Sequence, residues 1–198
     1  MRHFQNIEQV SLPACHLTIG AFDGVHLGHQ HLVRQLVTGA RAAGVPAAVL
    51  TFFPHPSVVL RGRQPSFYIT TPEDKAELLG ELGVDVVITH PFNQEVAHVR
   101  AGQFVTNLCR NLGLRRLLAT ADFALGYKRE GNLAFLRQAG ERPAGGGGRG
   151  FDVEEVDLLR VEGEVISSTR VREALRAGDV ARAARYLGRP FFVTGTVV

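Results

Sequence analysis

The sequence predicts an α/β protein: a Rossmann-like parallel sheet with helices on both faces. Three observations carry that prediction. Short apolar runs recur at 16–20, 46–52, 84–89 and 115–119, without the polar alternation of a half-exposed strand, which suits strands buried on both faces. Helical stretches fall between them, near 28–43, 72–82 and 101–112. Gly44, Gly83 and Gly113 each stand just beyond one of those stretches, where a left-handed C-cap favours glycine. Repeated strand–helix units of this kind build a parallel sheet covered on both sides.

The first strand, His16 to Gly20, leads into Ala21-Phe22-Asp23-Gly24-Val25-His26-Leu27-Gly28-His29 and then into a helix. The second strand ends at Pro54-His55-Pro56, where two prolines fix an extended turn and present His55. Thr71-Pro72-Glu73-Asp74 is a helix start, with a Thr cap, Pro at the first position and acids behind. After the fourth strand come Asp122 and Phe123. The stretch Glu141 to Gly150 is glycine-rich and aperiodic and reads as a flexible loop, because it lacks the GxxxxGK[ST] spacing of a phosphate loop. Phe151 to Val156 alternates as a strand does. A smaller subregion is therefore expected around 122–165. Ser167-Ser168-Thr169 opens a last helix, with Arg172 in its first turn.

Composition narrows the function. The chain has 198 residues, 45% apolar and 21% charged, as a globular domain does. No apolar run reaches the roughly 18 residues of a membrane span. Met1 to Asn6 lacks a signal-peptide core, so a cytoplasmic location is expected. Cys15 and Cys109 form no CxxC pair and are expected as reduced thiols. The net charge is +3 and the basic residues form no tract, which argues against nucleic acid. Oligomeric state is not legible.

Two constellations carry chemistry. His26 and His29, spaced i, i+3 at a helix start beyond a strand, suit polyphosphate. Free N–H groups there favour an anion, Gly28 permits close approach, and imidazoles can stabilise charge developing on phosphorus. Ser168, Thr169 and Arg172 form a second anion-suited helix start. A cation in the first turn opposes the helix dipole, and a bound phosphate would neutralise it. Metal ligation by His26 and His29 with His31 and His55 finds no carboxylate or cysteine at ligand spacing, so no protein metal site is expected.

The run Gly20-x-Phe22-Asp23-Gly24-Val25-His26-x-Gly28-His29-Gln30 resembles the signature of the prokaryotic FAD synthetases, the bifunctional riboflavin kinase/FMN adenylyltransferases. More broadly, it is similar to the HxGH nucleotidyltransferases. Thr51 to Pro56, Asp122 to Gly126 with Arg129-x-Gly131, Ile166 to Arg172, and Leu187 to Phe191 follow in the family's order. The resemblance implies transfer of AMP from ATP, with Mg²⁺, to FMN, giving FAD and pyrophosphate. It implies His26 and His29 as catalytic. Gly20, Phe22, Asp23, Gly24, His26, Gly28, His29, Ser168, Thr169 and Arg172 would bind ATP, and Pro54, His55, Pro56 and Asp122 would bind FMN. Residues 1–186 would form the adenylyltransferase domain and 187–198 the start of a kinase module. The kinase PTAN signature is absent, so kinase activity is not expected. Ala21 replaces the usual Asn or Thr, and Ala124-Leu125 replace Arg-Phe. A different phosphate acceptor, such as pantetheine phosphate or nicotinamide mononucleotide, and a non-catalytic flavin- or nucleotide-binding module are the alternatives.

Overall fold

A computed structural model describes residues 1–62, 68–141, 150–161 and 163–195. The chain opens with a three-residue strand, β1 (Arg2–Phe4), then runs through β2 (Cys15–Ile19), α1 (Leu27–Ala42), β3 (Ala47–Phe53) and a short α2 (Pro56–Arg61). Next come α3 (Pro72–Glu81), β4 (Val86–Pro91), a single turn α4 (Gln94–Ala97), α5 (Ala101–Leu112) and β5 (Leu114–Ala119). The remainder holds β6 (Ala124–Leu125), β7 (Gly131–Asn132), α6 (Leu133–Glu141), β8 (Asp152–Glu155), β9 (Arg160–Val161), β10 (Glu164–Val165), α7 (Ser168–Arg176) and α8 (Val180–Leu187).

The central sheet has the order β1-β4-β3-β2-β5-β8, and every neighbouring pair is parallel. Successive side chains in a strand point to opposite faces. Val49, Val87 and Leu118 meet Leu36 of α1 and Leu79 of α3, whereas Leu50, Ile88 and Leu117 meet Leu108 of α5 and Leu136 of α6. Both faces are covered, so β2, β3 and β4 are buried at both parities over most of their length, and the expected fold is observed. Each fully buried leucine contributes about 1.5–3 kcal/mol. An exposed ion pair such as Arg100–Glu130, with Arg100 72% exposed, contributes little, because solvent screens it. Apolar burial between layers therefore holds the fold.

The antiparallel pairs β6–β7 and β9–β10 make up the small subregion. Within the same stretch β8 instead joins the main sheet beside β5. The glycine-rich loop lies, at 142–149, outside the described residues. The domain boundary expected after residue 186 cuts one residue short of the end of α8: Leu187 is fully buried with Ile69, Ile166, Val171 and Tyr186. Thr194 donates to Asp74 at 2.8 Å, so the segment after α8 packs on the same body. Cys15 and Cys109 are free thiols. Among the described residues no helix is long and apolar enough to cross a membrane.

Strands β3, β2 and β5 are adjacent, so the segments leaving their carboxyl ends (54–56, 20–29 and 120–123) share one rim. In open parallel sheets that rim is where ligands bind.

Candidate active site at the end of the second strand

The turn leaving β2 is tight. Phe22, Gly24 and Val25 have φ of 49°, 82° and 41°. Positive φ suits glycine and strains the other two, Val25 most, because its side chain is β-branched. Buried anchors hold the turn. The Asp23 carboxylate, 2% exposed, accepts from Ile69 N–H at 3.0 Å, from Thr70 N–H at 3.1 Å and from the Thr70 hydroxyl at 3.3 Å. It also pairs with the buried Arg172 guanidinium at 2.5 Å. Ser168 Oγ donates to the Asp23 carbonyl at 2.9 Å. One acidic residue thereby ties the turn to the start of α3 and to α7.

His26 caps α1: its Nδ1 accepts from His29 N–H at 3.3 Å. A neutral ring that accepts at Nδ1 carries its proton on Nε2. A Cβ on Gly28 would sit 3.2 Å from that ring, so glycine lets the imidazole lie against the first turn. The His26 and His29 rings stack with centroids 3.6 Å apart and planes 18° apart, and Phe22 meets His29 edge-on at 5.0 Å. Burial pushes His26 down to about 4 against the pull of Asp23. His29 lies well below the usual imidazole range, through burial first and then the charges of His26, Lys75 and Arg172. Both rings are neutral near pH 7. His29 Nδ1 is buried without a partner among the described residues.

The serine–threonine–arginine element differs in detail from expectation. Ser167, outside the expected set, is the α7 cap and accepts from Arg170 N–H at 3.4 Å. The Ser168 hydroxyl turns to Asp23, and Thr169 is exposed. Arg172 does not depend on a bound phosphate for an opposing charge, because Asp23 already supplies one. Even so, α7 does reach the turn. The Ile166 carbonyl stands 3.4 Å from the Cβ position of Gly28.

His55 caps α2 through Nδ1, accepting from Ser57 N–H at 3.0 Å, and its own N–H donates to the Tyr68 hydroxyl at 2.9 Å. Pro56 takes the first helical position, and Pro54 follows β3 directly. A Cβ on Gly20 would press the Phe22 ring at 3.1 Å. Asp122 is exposed beyond β5 and accepts from the Thr120 hydroxyl at 2.7 Å.

Sequence reasoning missed Lys75. Its ammonium is buried and donates to the Ala21 carbonyl at 3.1 Å; Thr51 Oγ1 donates to the same oxygen at 3.0 Å. Burial lowers its pKa to about 8. The available signal was its register, three and four residues before Leu78 and Leu79 on the buried stripe of α3.

A six-stranded parallel sheet whose second strand opens into a paired-histidine helix start defines the HxGH nucleotidyltransferase fold class. The chain belongs to the FAD synthetase family, whose sequence profile matches residues 8–170. It is 38% identical over 183 residues to the bifunctional riboflavin kinase/FMN adenylyltransferase of Listeria monocytogenes, covering 92% of this chain and 56% of that protein. A solved structure titled as a macrolide-efflux protein from Streptococcus pneumoniae superposes with TM-score 0.82 at 26% identity, covering 96% of this chain and 60% of that one. Pantothenate synthetase from Thermus thermophilus shares the fold at TM-score 0.54 and 18% identity, covering 95% of this chain and 81% of that one. The chain spans about 56–62% of the length of the first curated relatives it matches.

Proposed function

We propose that this chain transfers the adenylyl group of ATP to the phosphate of FMN, giving FAD and pyrophosphate. A phosphate oxygen of FMN attacks the α-phosphorus of ATP as the bond to the bridging oxygen of pyrophosphate breaks, and no covalent enzyme intermediate forms. The observation that carries this reading is the stacked His26–His29 pair at the start of α1. Of the first-turn N–H groups of α1, His26 already takes that of His29, leaving those of Leu27 and Gly28 to face an anion. The His26 Nε2–H adds a neutral donor.

Phosphoryl-type transfer asks a protein chiefly for positioning and charge stabilisation, and neutral, partly desolvated donors suit that task. Ser168, Thr169 and the α7 start would hold the departing pyrophosphate, with Asp23 and Arg172 fixing their distance from His26. Pro54, His55, Pro56 and Asp122 would border the flavin. ATP enters as its Mg²⁺ complex. Mg²⁺ commonly keeps phosphate oxygens and water as its ligands, and those would hold the ion here.

His29→Ala tests the assignment. FAD formation from MgATP and FMN should fall in kcat by about 10²–10³-fold, the usual effect of losing one such donor, with the circular dichroism spectrum unchanged. Wild-type turnover in that variant would refute the role. The same assay with pantetheine phosphate or nicotinamide mononucleotide tests the acceptor.

A further inference from the structure

The Leu187-Gly188-Arg189-Pro190 segment is in contact with the histidine turn. Arg189 Nη2 donates to the Gly24 carbonyl at 2.8 Å, and Nη1 donates to the carbonyls of Val25 at 3.3 Å and Leu187 at 3.4 Å. Gln30 Nε2 donates to the same Val25 and Leu187 carbonyls at 3.0 and 2.8 Å, while Arg34 holds the other end of that amide. Gly188, at φ 69°, closes α8, and a Cβ there would stand 2.6 Å from Leu27 Cδ2. The segment is therefore fitted to the first residue of α1 as well as to the turn before it.

Of the three residues whose carbonyls Arg189 gathers, Gly24 and Val25 have positive φ, and Val25 immediately precedes His26. A β-branched residue stays in that region only where its surroundings over-determine it. A guanidinium is a rigid fork able to span adjacent carbonyls, whereas an ammonium acts as a point charge. We infer that Arg189 is a positioning residue for His26: by bridging Gly24, Val25 and Leu187 it fixes the turn that sets the His26 ring and the start of α1. The inference deepens the proposed adenylyl transfer and rests on it for its kinetic consequence.

Arg189→Met and Arg189→Lys test it in the full chain with MgATP and FMN. The Met variant should lose about 10²-fold in kcat, the scale of a 1 Å misplacement, with the KM for ATP nearly unchanged, because a positioning loss falls on the transition state. Arg189→Lys should recover part of that loss. Ring ¹⁵N NMR gives a second readout. In the wild type His26 should show an unprotonated Nδ1 and a protonated Nε2, and in the Met variant that fixed tautomer should be lost.

Wild-type kcat with unchanged His26 signals would overturn the inference, as would a fall in melting temperature or kcat that leaves those signals untouched. If the Met variant does not fold, the Lys variant decides by the same two readouts. If the wild type makes no FAD, the adenylyl-transfer reading fails, and the nitrogen signals alone then decide the positioning role.

Discussion

His26 and His29 are held neutral by burial, and that has a thermodynamic consequence. A His26 pKa of about 4 in the folded chain, against an ordinary 6.5, means that the unfolded chain takes up the proton first. The associated stability is complete above pH 6.5 and is lost as pH falls toward 4; the lowered His29 acts in the same direction. Urea denaturation between pH 7 and 4 should show stability falling, and His26→Asn, which can keep the cap, should flatten the slope. An unchanged slope in that variant would contradict the assignment. At this scale the sequence shows the histidines because helix start and spacing are local. It does not show that Asp23 meets Arg172, 149 residues away, or that Lys75 reaches Ala21. Those pairings are made by the sheet that brings β2, α3 and α7 together.

The elements most legible in the sequence are those with caps. At α3, Thr71 and Asp74 form the reciprocal capping box, and Gly113 closes α5 in the left-handed region at φ 55°. Gly113 is also constrained by space, since a Cβ would lie 2.5 Å from the Pro13 carbonyl oxygen. Gly113→Ala should therefore destabilise by more than about 1 kcal/mol. Gly102→Ala, within α5 and with open space around it, should be neutral or stabilising by up to about 1 kcal/mol. Equal effects in urea denaturation would show that backbone and clearance are not what fix Gly113. Elements of two or three residues, such as β1, β6 and β9, are too short for a periodicity to register. Helix α8 carries cap signals of the same kind, Asp179 before it and Gly188 after it.

For the whole molecule, strand order decides where chemistry can occur. The sequence predicts parallel strands without their order, because adjacency is set by crossovers and layer packing. Only the observed order, with β2 between β3 and β5, brings the paired histidines, the His55 turn and Asp122 to one rim. Helix α7 arrives from the far end of the chain and reaches that rim through Asp23. The segment after α8 does so through Arg189.

The most direct measurement is product analysis of the wild-type chain with MgATP and FMN, separating flavins by chromatography while quantifying pyrophosphate. Equimolar FAD and pyrophosphate are predicted. Unchanged FMN, or pyrophosphate release without a flavin product, would contradict the account.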